Sequence, residues 1–142
     1  MIMPVKVCSF NCRGLQSSVH ELQLLSISFD VICLQELWLP DNELGLLNNI
    51  VSGMHGLGVS PMDASSGFMR GRPHGGVGFL CKDNLLANAS VVYPGNLWSV
   101  ALRLTDMLGM FTSHVISMKM LINTLIVLGS CLPLLPTSIE NI

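Results

Sequence analysis

The sequence predicts an α/β fold on three observations. Short apolar runs rich in β-branched residues recur along the chain, a helix with one apolar face lies between the first two, and three further strand-like runs follow a glycine-rich segment. Half of the 142 residues are hydrophobic and 11% are charged, whereas soluble domains carry roughly 25% charged residues. The length therefore suits one domain with a sizeable core, and the composition predicts poor solubility in isolation.

The first two elements are a predicted strand and helix. Val5 to Phe10 is a short apolar run that ends at Asn11, which predicts a buried strand leading into a loop. A helix is predicted over Ser18 to Ser28, with a capping box between Ser18 and Glu21. Its core face repeats at spacings of three and four and comprises Leu15, Val19, Leu22, Leu25 and Phe29.

The third element, Val31 to Gln35 (VICLQ), is another continuous apolar run. Because it follows a strand and a helix, it predicts a parallel βαβ unit with Glu36 at the end of its second strand. Pro40 and Asp41 then predict a turn and cap before a short helix over Asn42 to Asn49, in which Leu44, Leu46 and Leu47 can face the core.

Glycine and proline dominate the next segment. Seven of the 13 glycines lie between Gly53 and Gly76, which predicts a long surface loop with little regular structure. Three strands of an antiparallel meander are predicted after it. These strands are Gly76 to Lys82, Ala89 to Tyr93 and Leu97 to Leu104, with turns at Asp83-Asn84 and Pro94-Gly95-Asn96.

The composition changes after Asp106, because Lys119 and Glu140 are the only charged residues beyond it. We therefore divide the chain into residues 1–106 and an apolar, divergent segment 107–142. Within that segment, Met120 to Leu135 is uncharged but somewhat shorter than the roughly 20 residues that span a bilayer. Two interpretations remain open: a membrane span, or a core strand around Leu121 to Leu128 followed by a proline-rich end.

Charge and cysteine usage restrict the classes of function. The formal charge of -2 and the pI near 6.0 give no basic footprint for a protein that holds nucleic acid mainly through its phosphates. Five cysteines without a C-x-x-C pair favour buried thiols in a reducing, intracellular compartment, nuclear or cytoplasmic, over a disulfide framework or a zinc site.

Two polar residues end consecutive strands of the predicted βαβ unit. Asn11 and Glu36 would lie side by side at one sheet edge if the two strands are neighbours, since the carboxyl ends of parallel strands meet there. A carboxylate beside an amide oxygen can hold Mg²⁺, whose remaining positions are filled by water and phosphate oxygens. The alternative is a solvated glutamate that merely ends a strand.

Three segments carry a resemblance to a known family. Residues 9–15 (SFNCRGL) and 30–38 (DVICLQELW) resemble the two opening motifs of the endonuclease/exonuclease/phosphatase superfamily, and residues 70–80 (RGRPHGGVGFL) are similar to a glycine-rich strand entry of LINE-type retrotransposon endonucleases. The resemblance covers residues 5 to about 104. It implies a DNase I-like, four-layer α/β/β/α sandwich, here partial and truncated in its second half, with mostly one of the two sheets.

The resemblance also implies roles. Asn11 and Glu36 would bind the catalytic Mg²⁺, with Mn²⁺ as a substitute, Glu36 would be catalytic, and DNA would be the substrate. We do not assign Arg72 or His74 a catalytic role, since a solvated arginine and a loop histidine are commoner outcomes. For Trp38 and Trp98, core or rim packing is favoured over stacking on a base.

Other motifs of the family are absent from the sequence. It contains neither an Asp-x-Asn motif nor Ser-Asp-His, which in the family help to ready the attacking water, and residues 128–133 resemble a Tyr-x-Pro strand end with Cys131 in the tyrosine position. We therefore expect a truncated, catalytically impaired endonuclease. The alternative is a non-catalytic fragment that binds a partner or a membrane through its apolar segment 107–142. The oligomeric state is left open.

Overall fold

The computed structural model describes residues 5–64, 67, 71–91 and 99–104 with their side chains, and the strand backbone at 92, 114–119, 124–129 and 139–141. These residues form two sheets. The first contains β1 (Val7–Asn11), β2 (Val31–Gln35), β3 (Met54–Val59), β4 (Val77–Lys82) and β9 (Ile139–Asn141), in the order β3-β4-β2-β1-β9. The second runs in chain order through β5 (Ala89–Val92), β6 (Ser99–Leu104), β7 (His114–Lys119) and β8 (Thr124–Gly129). The predicted α/β class is confirmed.

The predicted βαβ unit is present. β1 and β2 pair in parallel from Val7 opposite Val31 to Asn11 opposite Gln35, and helix α1 (Val19–Ser28) connects them after a 3-10 turn over Leu15–Ser18. The predicted capping box is wrong. Ser18 makes no side-chain cap, because it ends the 3-10 turn and its Oγ donates to the Cys12 carbonyl at 2.6 Å.

The glycine-rich segment contains a strand where a loop was predicted. β3 pairs antiparallel with β4 and forms one edge of the first sheet. The predicted short helix before it is a 3-10 helix, Asp41–Asn49, in which Leu47 is buried while Leu46 is 42% exposed. This helix lies on β3, and the Asn48 Oδ1 accepts the backbone N–H of Gly56 at 2.9 Å.

The predicted three-stranded meander is also wrong. β4 pairs with β2 and β3, and a 3-10 helix, Asp83–Asn88, replaces the expected turn and leads into the second sheet, where β5 pairs with β6. The expectation that the chain supplies mostly one sheet fails for the same reason, since four strands form the second sheet. The turn predicted at residues 94–96 lies outside the described residues.

Two apolar layers form the core. One lies between the first sheet and the helices and centres on Leu22, Ile32, Leu34, Leu47 and Leu80. The other lies between the sheets and includes Val31, Val77 and Phe79 from the first sheet with Val100 and Leu102 from β6. The inner face of the first sheet is therefore covered by the second, and burial of such faces is the main stabilising contribution to a fold of this size.

Strands from the apolar segment 107–142 join both sheets. β7 and β8 extend the second sheet beyond β6, and β9 pairs in parallel with β1. Most of the uncharged run from Met120 to Leu135 lies outside the described residues. Among the helices of the described part, none has the length and apolar character required to cross a membrane.

Buried thiols predict a loss of stability at alkaline pH. Burial, followed by the charges of Asp30 and Asp83, raises the pKa of Cys81 from 9.0 to about 11, and burial raises the pKa of Cys33 as well. Above pH 9 the unfolded chain releases thiol protons that the folded chain retains, so stability is fully present below pH 9 and falls as the pH rises towards 11. We expect Cys81 alone to account for a loss on the order of 2 kcal/mol.

Thermal unfolding between pH 8 and 11 measures this effect. The Cys81→Ala variant removes one titrating thiol, so its stability should decline less steeply with pH than that of the unmodified chain, although the variant starts lower because a buried atom is lost. Parallel pH profiles for the two proteins would contradict the assignment.

Candidate functional site

The carboxyl ends of β1 and β2 adjoin at one edge of the first sheet. Asn11 is the last residue of β1 and pairs with Gln35, the last residue of β2, so Glu36 is the next residue along from that pair. Both Asn11 and Glu36 are half-buried. The parallel pairing therefore brings the two polar residues predicted from the sequence to neighbouring strand tips.

The loops that follow the two strands are tied together by backbone hydrogen bonds. Cys12 N–H donates to the Gln35 carbonyl at 2.8 Å, and Gly14 N–H donates to the Glu36 carbonyl at 2.9 Å. The Asn11 Oδ1 accepts the Arg13 N–H at 3.1 Å, which closes a local turn after β1. These contacts fix the backbone on both sides of Glu36 relative to Asn11.

Backbone strain concentrates in the same two loops. Within the described residues, positive φ outside glycine occurs at Arg13 (46°), Glu36 (51°) and Trp38 (55°). Each such residue costs on the order of 1–3 kcal/mol and persists where surrounding contacts hold it, a pattern that clusters at functional sites. Two strained residues that follow the tip of β2, Glu36 and Trp38, are therefore an observation in favour of a site there.

Gly75 and Gly76, in the glycine-rich segment 70–80, form hydrogen bonds with the loop that follows β2. Leu37 N–H donates to the Gly76 carbonyl at 3.2 Å and Trp38 N–H to the Gly75 carbonyl at 2.9 Å. Both glycines have positive φ, 67° and 87°, and a Cβ at Gly76 would lie 3.0 Å from Leu37 Cβ. The positive φ favours glycine at both positions, and at Gly76 the close approach of Leu37 also leaves little room for a side chain.

The layer between the sheets becomes polar towards these strand tips. Side chains alternate along a strand, so Ser9, Asn11 and Gln35 share the face that Val7 and Val31 occupy farther down. Ser9 and Gln35 are buried, and the Gln35 Nε2 donates to the Ser9 Oγ at 2.6 Å. Gln35 was included in an apolar run, so the sequence pattern gave no sign of this pair.

Cys12 is close enough to Glu36 for the two charges to interact, and its thiol is protonated at neutral pH. Burial, and then the negative charge of Glu36, raises the pKa of Cys12 to about 12. The thiolate is the nucleophilic form of cysteine, so this raised pKa disfavours a nucleophilic role for Cys12 near pH 7. The site therefore offers one amide oxygen and one carboxylate.

This pair of donors fits a hard divalent ion. Mg²⁺ prefers oxygen ligands and is commonly held by one or two carboxylates together with water and substrate phosphates. Zinc sites instead use three or four histidine, cysteine or carboxylate ligands, and the described part of the chain holds no group of three or more such side chains that could bind a metal. The oxygen donors of Asn11 and Glu36 are of the type that magnesium prefers.

A groove adjoins the strand tips. Its cavity of about 590 Å³ is bordered by the loops after β1 and β2 and by the start of the 3-10 helix Asp41–Asn49. Ala64, Gly67 and Pro73 complete the lining. Asn11 and Glu36 do not line it, although the lining begins with Arg13 and Gly14 on one side and Leu37 and Trp38 on the other. We call this cavity the tip groove.

The remaining residues considered from the sequence lie around this region. Arg72 and His74 are exposed, and the His74 Nδ1 lies 3.0 Å from the Arg72 carbonyl oxygen, a local contact that gives neither residue a role. Trp38 is 38% exposed at the rim of the groove. Trp98 and Cys131 lie outside the described residues.

The sequence was compared with models of known protein families and with curated proteins. A family model described as the Endonuclease/Exonuclease/phosphatase family matches residues 8–120, a span that includes both strand tips, Gly75, Gly76 and β5 to β7. No curated protein matches the chain closely enough to count as a relative. The matched span extends beyond residue 106, and the domain boundary there remains a prediction.

Proposed function

The chain belongs to the endonuclease/exonuclease/phosphatase family, and we infer that it derives from a metal-dependent endonuclease that hydrolyses phosphodiester bonds in DNA. The observation that carries this proposal is the parallel pairing that brings Asn11 and Glu36 to adjoining strand tips inside the matched span. The strained backbone at Glu36 supports it further, since a solvated glutamate at a strand end requires no such conformation.

Asn11 and Glu36 would hold Mg²⁺, with Mn²⁺ as a substitute, and Glu36 would be the catalytic carboxylate. A divalent ion bound there would polarise a phosphodiester and neutralise the charge that develops during its cleavage. The protein would orient the two ligands. The hydrogen bond from Arg13 N–H to the Asn11 Oδ1 restrains the Asn11 side chain, and backbone hydrogen bonds to the loop after β1 and to Gly75 and Gly76 hold the loop that carries Glu36. Preorganised ligands of this kind avoid reorganisation during the reaction.

The retrotransposon type is a finer proposal. It rests on the resemblance of residues 70–80 to the glycine-rich entry of LINE-type endonucleases. The carbonyls of Gly75 and Gly76 in that motif accept hydrogen bonds from the loop that carries Glu36, which gives the motif a structural reason to accompany the site. DNA is the substrate that follows from the same resemblance.

We propose that the 142-residue chain by itself is catalytically impaired. The sequence lacks the Asp-x-Asn and Ser-Asp-His motifs that supply the water-activating groups in the family. General acid–base assistance is worth roughly 10² to 10⁴-fold in rate. A chain that binds the ion without these groups should therefore retain little of the family's activity.

Nicking of supercoiled plasmid in Mg²⁺ tests this proposal. The 142-residue chain should nick no faster than its Glu36→Gln variant, while a full-length family endonuclease serves as the positive control. Nicking that requires Mg²⁺ and disappears in Glu36→Gln would show that the chain is active, which would reject the impairment while retaining the site. Nicking that persists unchanged in Glu36→Gln would reject the assignment of Glu36.

A further inference from the structure

The tip groove has the size of a ligand site and is distinct from the two proposed metal ligands. Small-molecule and cofactor sites commonly have volumes of roughly 300–1,000 Å³, and the groove measures about 590 Å³. Its lining includes Arg13 and Gly14, which follow Asn11 closely in the sequence, and Leu37 and Trp38, which follow Glu36. A substrate with a phosphate at the strand tips could place a neighbouring group in the groove.

Trp38 is the aromatic side chain of this groove. Among the large hydrophobic side chains that the described residues leave exposed, Trp38 is the aromatic one, at 38%. A bulky residue with φ of 55° is strained, and here the strain is not offset by full burial. The conformation instead holds an indole at the rim of the groove.

Trp38 is held at two points. The Cε3 atom of its ring lies close to Gly14, where an added Cβ would be 3.0 Å away, and its backbone N–H donates to the Gly75 carbonyl at 2.9 Å. A side chain that is restrained before binding loses less conformational entropy when a flat ligand stacks on it. The contacts of Trp38 therefore favour stacking on the part of the side chain that remains exposed.

The charged and polar residues that line the groove favour one kind of ligand. Arg13 contributes one positive charge to the lining and Glu43 one negative charge, so the net electrostatic attraction for phosphates is small. Gln16, Ser17 and Asn42 add side chains that can form hydrogen bonds. These features favour a flat, polar-edged group that binds by stacking over a ligand that binds through many phosphates.

We propose that the tip groove is a nucleotide subsite in which Trp38 stacks on an unpaired base of single-stranded or locally opened nucleic acid. The position of that base, next to a phosphate held at the strand tips, rests on the proposed function. Stacking itself requires only Trp38 and the groove. A base inside an intact duplex is already stacked on its neighbours, so the subsite takes strands in which a base is free.

Intrinsic fluorescence of Trp38 tests the proposal directly. The full chain is prepared with Trp98→Phe, so that Trp38 is its one tryptophan, and is titrated with a short oligothymidylate in EDTA. We expect quenching with saturation. In anisotropy measurements with the labelled oligonucleotide, Trp38→Ala should bind roughly tenfold more weakly and Trp38→Phe should stay within about threefold of the unmodified chain, since base–aromatic stacking contributes roughly 1–3 kcal/mol.

Two controls separate stacking from other causes. A strand of equal length that carries abasic sites throughout should bind the unmodified chain as weakly as the intact strand binds Trp38→Ala. Ile27→Ala changes an apolar residue of α1 that is 77% exposed and is not among the residues that line the groove, and should bind normally. Circular dichroism shows whether each variant is folded. If Trp38→Ala does not fold, the comparison of intact and abasic strands on the unmodified chain and on Trp38→Phe still tests the proposal.

The proposal would be overturned by the absence of quenching in the Trp98→Phe chain, or by equal affinity for the intact and abasic strands. Unchanged affinity in Trp38→Ala would also reject it. Because EDTA removes divalent ions, quenching that persists in Glu36→Gln would leave the subsite standing even if the metal site fails. Conversely, a chain that binds the metal but shows no quenching would retain the metal site and reject the nucleotide subsite.

Discussion

Gly56→Ala is expected to destabilise the protein by about 3 kcal/mol, a large part of the roughly 5–15 kcal/mol that holds a typical domain folded. A methyl group at Gly56 would overlap Leu47 Cβ and would lie 2.6 Å from the Leu47 carbonyl carbon and oxygen. Backbone atoms cannot move aside by a change of rotamer, so the 3-10 helix would have to lift away from β3. That movement would also lengthen the hydrogen bond from Gly56 N–H to the Asn48 Oδ1.

Gly45→Ala is the matched control, because it makes the same substitution in the helix that Gly56 contacts. Nothing lies within 4 Å of the position that its Cβ would occupy, so its stability should stay within about 0.5 kcal/mol of the unmodified chain or rise slightly. Urea unfolding followed by circular dichroism measures both variants. Similar midpoints for the two would show that the 3-10 helix does not rest on β3.

The same close contact explains why β3 could not be predicted from the sequence. Gly56 and Gly58 weaken the strand signal of residues 54–59, since glycine is unfavourable in strands. The structural reason for both glycines is nonlocal: Gly56 meets Leu47, and a Cβ at Gly58 would lie 2.7 Å from the Val77 carbonyl oxygen. A pattern that indicates a loop locally thus indicates close packing once the partner elements are known.

Elements with local signals were predicted well. β1, α1 and β2 have uninterrupted apolar or helical periodicity, and a strand–helix–strand order favours parallel pairing because such connections are right-handed and short. The partners of β4 could not be inferred in this way. Strand pairing depends on contacts between distant segments, and β4 pairs with β2 and β3 while the following strands form a separate sheet.

The candidate site also combines features that local sequence signals predict with features that depend on contacts between distant segments. That Asn11 and Glu36 reach adjoining tips follows from two strand ends and one parallel pairing, both of which the sequence indicates. The left-handed backbone at Glu36 and the buried bond between Gln35 and Ser9 arise from contacts among three separate segments. No local pattern encodes them, and the role of Trp38 at the groove depends on Gly14 and Gly75 in the same way.

Glu36→Gln is expected to weaken the binding of Mn²⁺ or Mg²⁺ by about 100-fold. The substitution keeps the size of the side chain but replaces the only carboxylate proposed as a ligand. Changes in residues that merely support metal ligands already cost roughly 10–100-fold in affinity, and loss of the charged ligand itself should reach the upper end of that range. Isothermal titration calorimetry with Mg²⁺, and electron paramagnetic resonance of free Mn²⁺, measure the affinity directly and require no catalysis.

Glu21→Gln is the control for this prediction, since it removes one negative charge from an exposed position on α1. Its affinity for Mn²⁺ should match that of the unmodified chain, because Glu21 is not a proposed ligand and the interaction of an exposed charge with the ion is screened by salt. Asn11→Ala should weaken binding less than Glu36→Gln, since a neutral amide oxygen contributes less attraction than a carboxylate. If Glu36→Gln and Glu21→Gln bound Mn²⁺ equally well while both remained folded, the strand tips would hold no ion through Glu36, and the metal-dependent function would have to be abandoned.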